Sequence, residues 1–283
     1  MSLTFWDVQH GHATYIKSPN DKHIVIDLGT GTISGTSDIF CPLQFLKRNG
    51  VNRLDYCIIT HPHMDHIDDI FNFYDVHPKV LQRPRHIPDE RLVEGARQAE
   101  LPKINKYLEI HHDYTRLIET DDVDYPFDSN KFGGMRIQTF APINCSISNL
   151  NNQSIVSVFE YAETKVVIPG DNESPSWNEL LQNVNFVEAI RNADIFLASH
   201  HGRESGYHEQ IMNIINPKIT IISDAQYHQN SVRDRYSAMS SGWIVWDAGQ
   251  ETTRKTLSTY YDGVIKIDAG YNSNGKPYLQ VRV

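Results

Sequence analysis

The segment His61–Pro–His–Met–Asp65–His66 gathers three imidazoles and a carboxylate within six residues. Side chains two apart on an extended chain project to one side, so His61 and His63 can grip one cation. If the chain then turns into a helix, Asp65 and His66 come round to face a second cation. Imidazole and carboxylate together suit zinc, manganese or iron rather than calcium. Pro62 limits the entropy such a loop loses on ordering. Two further apolar runs end in residues of the same kind. Lys165–Val–Val–Ile–Pro–Gly–Asp171 finishes in a carboxylate that could bridge two cations, and Ala193–Asp–Ile–Phe–Leu–Ala–Ser–His–His–Gly202 finishes in a histidine pair. Singly, Asp171 reads as a turn residue and His200 as a hydrogen-bonded strand-end histidine. In this order they read as the rest of a metal centre.

The elements that must position these groups follow from hydrophobic periodicity. Leu3–Val8, Ala13–Lys17 and His23–Leu28 alternate as a meander, with turns at His10–Gly11 and Pro19–Asn20–Asp21. A helix is predicted near Asp38–Asn49, closed by Gly50. Leu54–Thr60 is a buried strand that delivers the chain to His61, and a helix starts at about His66. Residues 88–120 read as helical, interrupted at Leu101–Pro102. Strands are predicted at Met135–Phe140, Ser154–Tyr161 and Lys165–Ile168, then a helix over Ser176–Arg191. Strand Ile195–Ser199, helix His208–Ile215 and strand Ile219–Ser223 alternate. Trp243–Trp246, Leu257–Tyr261, Val264–Asp268 and Tyr278–Val283 close the chain as strands. Strands in both halves, each set followed by helices, suit two sheets face to face with helices outside.

Composition bounds the class. No break or repeat divides the 283 residues, so one domain over 1–283 is expected. An apolar fraction of 40% suits a globular chain. No stretch approaches the roughly 20 apolar residues of a membrane span, and no secretion signal is visible at the N-terminus. Cys41, Cys57 and Cys145 are odd in number and outside any metal spacing, which favours a reducing cytoplasm. A net charge of -9 argues against coating nucleic acid along one basic face.

Taken together, these segments resemble the metallo-β-lactamase superfamily. Its ordered signature is matched by Ile24–Val–Ile–Asp27–Leu–Gly, His61–His66, Gly170–Asp171 and Ser199–His200–His201–Gly202. More narrowly, the chain is similar to the hydrolase domain of ComEC-like DNA-internalisation proteins. Asp7–Val–Gln–His–Gly–His12, Asn152–Gln–Ser154–Ile–Val156 and His200–His–Gly–Arg203 carry that likeness. The resemblance implies a four-layer αββα sandwich of two mixed sheets, with two divalent ions at one edge. It implies that His61 and His63 bind the first ion, that Asp65, His66 and His200 bind the second, and that Asp171 bridges. His200 is preferred over His201 because the family's ligand usually follows a small residue, as Ser199 is. Asp27 is expected to orient ligands rather than to bind. Gln9, His12 and Arg203 depart from the usual glycine, Asp or Asn, and Ser, and no histidine stands at the third ligand position near Asn152. The channel that accompanies this domain in competence proteins is missing here, so DNA import is not expected of this chain itself.

The expected chemistry is hydrolysis at two cations that acidify a shared water. A phosphodiester, as nucleic acid or nucleotide, is the favoured substrate. Amide, ester or lactone hydrolysis is the alternative, and a non-catalytic binding module the third reading. Besides Asp65, His201 and His228 are candidate catalytic groups, for leaving-group protonation. His10, His12 and Arg203 are candidate substrate contacts, with His12 favoured for a place near the first ion, and Arg233 and Arg235 could also hold phosphates.

Overall fold

A computed structural model describes residues 1–33, 36–225 and 232–283. The N-terminal alternation forms β1 (Ser2–Phe5), β2 (Thr14–Lys17) and β3 (His23–Ile26), an antiparallel meander. A short pair, β4 (Gly31–Thr32) and β5 (Ile39–Phe40), precedes α1 (Pro42–Arg48). Strand β6 (Tyr56–Ile58) runs parallel to β3 and leads through His61 into α2 (Met64–Ile67). Strand β7 (Val80–Gln82) follows, then helices α3 (Asp89–Gly95) and α4 (Leu101–Asp113). The second half opens with β8 (Arg136–Phe140), β9 (Val156–Tyr161) and β10 (Thr164–Ile168). Helices α5 (Ser174–Leu180) and α6 (Val184–Ile190) lead to β11 (Ile195–Leu197), α7 (Glu209–Ile215), β12 (Ile219–Ile222) and α8 (Arg233–Met239). Strands β13 (Trp243–Asp247), β14 (Gln250–Arg254) and β15 (Thr256–Ser258), helix α9 (Thr259–Asp262), and strands β16 (Ile265–Tyr271) and β17 (Pro277–Arg282) complete the chain.

Among the described residues these strands build a nine-stranded sheet, β14-β13-β17-β16-β1-β2-β3-β6-β7, and a six-stranded sheet, β15-β12-β11-β10-β9-β8. The layers follow from which side chains are apolar on both faces. Ile16, Ile24, Ile58, Ile168, Ile195 and Ile221 fill the space between the sheets. Val25, Cys57 and Ile59 turn the other way and meet Leu43, Leu46, Tyr107 and Ile110 of α1 and α4. On the far side, Val167 and Phe196 pack against Trp177, Phe186, Ile211 and Tyr236 of α5 to α8. Each such side chain contributes about 1.5–3 kcal/mol on burial, so the sheets cannot slide without losing many of these contacts together. The result is the expected αββα sandwich, and no helix among the described residues is long and apolar enough to cross a membrane.

Local departures from the predicted elements have physical causes. Helix α1 starts only at Pro42, whose ring suits the first helical turn, because Ile39–Phe40 is engaged as β5. The helix expected over Ser176–Arg191 is two helices, since the Asn183 side chain accepts the N–H groups of Asn185 and Phe186 and starts α6 afresh. Helix α4 ends at Asp113, short of residue 120. The polar strand Gln250–Arg254 lies at the sheet edge and is largely exposed, so it carries no alternation to detect. Leu257–Tyr261 is a strand only to Ser258 and then turns into α9.

Candidate metal centre

Asp27, His61, Asp171 and the pair His200–His201 all follow the C-terminal ends of strands, β3 and β6 in one sheet and β10 and β11 in the other. Both pairs of strands run parallel, so their ends open on the same rim. Hydrogen bonds sew the two sheets together there. The Ile155 N–H donates to the Thr60 carbonyl at 3.0 Å, and the Ser223 hydroxyl to the Gly11 carbonyl at 2.7 Å. The motif around Ser154 fixes the Asp171 turn: the Asp171 N–H donates to Ser154 Oγ at 3.0 Å, while Asn152 Oδ1 accepts from the Glu173 N–H and the Ser176 hydroxyl. Gly170 allows the turn itself. Its φ is +62°, and a Cβ there would lie 2.8 Å from Thr60 Cβ and 2.9 Å from Ser154 Cβ.

Asp171 Oδ2 is the centre of the site. It lies 3.3 Å from His66 Nε2, 3.3 Å from His201 Nε2, 3.8 Å from His61 Nε2 and 4.0 Å from His200 Nε2. Asp65 Oδ2 lies 3.2 Å from His201 Nε2 and 3.9 Å from His66 Nε2. Asp65, His66, Asp171 and His201 can each place a ligand atom within 4.8 Å of all the others. His61 Nε2 in turn is 2.9 Å from His63 Nδ1. His66 Nε2 and His201 Nε2 are buried without a hydrogen-bond partner. Two buried ring nitrogens converging on carboxylates, with no hydrogen-bond partner between them, are where a cation would sit and what a folded chain otherwise avoids. The donor set therefore fits the divalent ions that the sequence implies.

The geometry separates the two histidines of the pair. Both adopt left-handed backbone, φ +50° at His200 and +54° at His201, a conformation that costs a non-glycine residue about 1–2 kcal/mol. That double turn brings the His201 ring into the cluster, with its Nδ1–H donating to the Ser223 carbonyl at 3.0 Å. His200 lies farther out, its Nε2 4.0 Å from Asp171 Oδ2 and its Nδ1 2.8 Å from Ser205 Oγ and 3.0 Å from Glu173 Oε1. The preference for His200 as a ligand of the second ion is thus at odds with the ring positions, and so is His201 as a free proton donor. Sequence reasoning passed over Glu173, which also accepts from the side-chain amides of Asn149 and Asn151. Its place two residues after Asp171, at the start of α5, was the available signal.

Behind the cluster, Asp27 is fully buried and accepts at both oxygens. Thr60 donates its N–H to Oδ1 at 2.7 Å and its hydroxyl to Oδ2 at 2.8 Å. The Nδ1 atoms of His66 and His12 reach Oδ2 at 2.8 and 2.9 Å. Asp27 thus contacts His66 and His12 from behind the cluster rather than from within it. His12 does not reach the first-ion side or the open mouth, because its other nitrogen, Nε2, is 2.7 Å from Thr14 Oγ1 and the ring is buried. His10 is the exposed one, with Nε2 3.4 Å from Asp65 Oδ2 and its ring 4.9 Å from that of His201. Arg203 joins the rim, its guanidinium 3.2 Å from His200 Nε2 and 3.4 Å from His10 Nε2. Arg235 instead pairs with Glu204 and covers the Tyr207 ring, and Arg233 lies over Tyr261, so neither faces the cluster. His228 lies outside the described residues.

Charges respond to this crowding. Burial alone would raise the carboxyls and lower the imidazoles. At Asp171, the charges of His201 and His66 outweigh burial and hold the carboxyl well below its usual range. Burial opposes protonation of His201, yet Asp171 and Asp65 lift it to about 10, and Asp171, Asp27 and Asp65 likewise raise His66. His61, His63 and His200 move the other way, burial holding them below the ordinary histidine value. The site thus concentrates negative charge at Asp65 and Asp171 and demands positive charge beside them.

Curated ComE operon protein 3 of Bacillus subtilis is 25% identical over 238 residues, which is 78% of this chain and 28% of that protein. The chain thus spans little more than a quarter of that relative. Among solved structures, the zinc-bound PqqB of Methylobacterium extorquens aligns with a TM-score of 0.48 at 10% identity, covering 95% of this chain and all of that one (100%). The short form of human tRNase Z aligns with a TM-score of 0.40 at 12% identity, covering 82% of this chain and 96% of the other. Residues 6–223 match the family model of the metallo-β-lactamase superfamily, from just after β1 through the end of β12, and the chain belongs to that superfamily.

Proposed function

We propose that the chain is a two-ion hydrolase of phosphodiesters, with nucleic acid or a nucleotide as substrate and zinc as the first candidate ion, ahead of manganese or iron. His61 and His63 would hold the first ion, Asp65, His66 and His201 the second, and Asp171 both. Ions bound there supply a Lewis acid and a water acidified toward neutral pH. The observation that carries the substrate class is Arg203 at the mouth of the cluster, its guanidinium within 3.2–3.4 Å of two imidazoles. A planar guanidinium matches phosphate oxygens and adds nothing that a neutral ester or amide requires. His200, tied to Glu173 and Ser205, keeps that guanidinium in place. His10, exposed beside Asp65, is the imidazole best placed to give a proton to a leaving group or to touch the substrate.

The test is turnover of a p-nitrophenyl phosphodiester against a p-nitrophenyl ester, each with zinc, manganese and iron. The diester should be the better substrate, and Arg203→Ala should raise its KM while leaving ester turnover alone. Faster ester hydrolysis would move the assignment to acyl chemistry on the same ions.

A further inference from the structure

His12 and Thr14 sit on the far side of His66 from the rim and take no part in the function proposed above. Four hydrogen bonds converge on Asp27, each of them to an oxygen that can only accept. The Thr14 hydroxyl is 2.7 Å from His12 Nε2, His12 Nδ1 is 2.9 Å from Asp27 Oδ2, and the same oxygen is 2.8 Å from His66 Nδ1. A carboxylate only accepts, so both Nδ1 atoms carry protons, and His12 Nε2 is then free to accept from Thr14. His66 Nε2 is left facing Asp171 and Asp65, where it would turn its lone pair to a bound ion. The group His12, Asp27 and His66 is compact enough for a cation of its own. Yet its 2.8–2.9 Å separations are those of charge-assisted hydrogen bonds, and every nitrogen facing Asp27 is a donor. The backbone repeats the arrangement: the His12 N–H donates to the Asp65 carbonyl at 3.2 Å, and the Gly29 N–H to the His12 carbonyl at 2.9 Å.

We propose that His12 is a positioning residue, whose Nδ1–H locks Asp27 and through it fixes the tautomer and direction of the His66 ring toward the second ion. This rests on reading His66 as a ligand, but not on the identity of the substrate. Partners that orient a metal-binding histidine are worth about 10–100-fold in metal affinity. His12 holds the carboxylate that holds the ligand, with no water or solvent-exposed group between them.

Two amide substitutions separate this role from space filling. Asn at position 12 places an N–H donor where Nδ1 stands, whereas Gln places its amide where Nε2 stands and is nearer histidine in volume. His12→Asn should keep the affinity of the second site for Co2+ or Zn2+ within a few-fold of wild type, measured by chelator competition. His12→Gln should lose about 10–100-fold, shift the visible spectrum of Co2+ bound at that site, and lower kcat with KM little changed. Thr14→Val should move in the same direction by less. In the metal-free protein, nitrogen-15 NMR should find the His66 Nδ1–H bonded to carboxylate in wild type and His12→Asn and weakened in His12→Gln. Melting curves of the metal-free variants report whether each is folded.

Equal affinities for the Asn and Gln variants, or a better-behaved Gln variant, would overturn the proposal. A wild-type protein that takes up no second ion would instead overturn the two-ion function. The His66 Nδ1–H signal would then decide the positioning role by itself: unchanged in His12→Gln, it refutes it.

Discussion

The pair His200–His201 offers the sharpest experiment, because the proposed function gives two adjacent identical side chains different tasks. Both sit in left-handed backbone at nearly equal φ, so alanine meets similar strain at either position and the backbone term cancels from the comparison. The side chains differ. His201 Nε2 lies 3.2 Å from Asp65 and 3.3 Å from Asp171, and the ring is buried. Without ions, His201→Ala removes the positive partner from two facing carboxylates, a loss of roughly 3–5 kcal/mol for a broken buried pair. At about 2–4 °C per kcal/mol this lowers Tm on the order of 10 °C. With ions, it removes a proposed direct ligand, so the loss in affinity for one ion should exceed the 100-fold upper range of an outer partner. His200 Nε2 is 4.0 Å from Asp171, and its Nδ1 is already engaged by Ser205 and Glu173. His200→Ala should therefore retain two ions per chain and show a raised KM through a loosened Arg203. The assay is metal content after dialysis against a graded chelator, with calorimetry of metal-free and metal-loaded protein. Loss of one ion from His200→Ala, with full occupancy in His201→Ala, would refute the assignment outright.

Two further substitutions test the supports of the site. Gly170→Ala must place a methyl 2.8–2.9 Å from Thr60 and Ser154 at positive φ. Roughly 2–5 kcal/mol of stability should go, from strain and overpacking combined, along with ion content as Asp171 shifts. A urea titration matching wild type would contradict this. Asp69 is buried and accepts the Leu43 N–H at 2.7 Å, and burial raises its carboxyl to about 6. A raised acid binds its proton more tightly in the folded state. Its contribution is therefore complete below about pH 4, near the unfolded value, and is lost as pH rises through about 6. Asp69→Asn should gain on wild type across that window, by at most about 3 kcal/mol. Parallel stability profiles for the two proteins would exclude a raised Asp69.

Much of this architecture was legible because buried strands write themselves as apolar runs with a polar residue at the end. Val25, Cys57, Val167 and Phe196 face helices while their neighbours face the other sheet, so these strands read as continuous hydrophobic segments. The residues that follow these runs fall on the rim, and His61 and Asp171 could be read together for that reason, with Asp27 added by the family resemblance. Elements that depend on polar side chains were hidden. Asn183 restarts a helix that periodicity alone would continue, and Gln250–Arg254 pairs along a sheet edge with no buried face to mark it.

Within the site, what the sequence concealed is a matter of backbone rotation and of direction. Choosing His200 because it follows the small residue Ser199 assumes that the strand continues extended to that residue. In fact it ends at Leu197, and two successive left-handed residues swing the second ring, not the first, onto Asp171. No apolar pattern reports such a turn, although Gly202 just beyond it, at φ +74°, marks where the chain leaves it. The same holds for the N-terminal loop. Spacing two apart suggests that His10 and His12 share a side, which requires extended backbone between them. Gln9 at φ +57° and Gly11 at φ +140° break that extension, so His10 reaches the rim while His12 goes inward to Asp27. Gln9 stands where the resembling family has glycine, and its positive φ is the physical reason glycine suits the position. Gln9 thus takes up, without glycine's freedom, the positive φ that gives this loop its shape. That shape is what sets His12 behind the metal-binding face rather than on it.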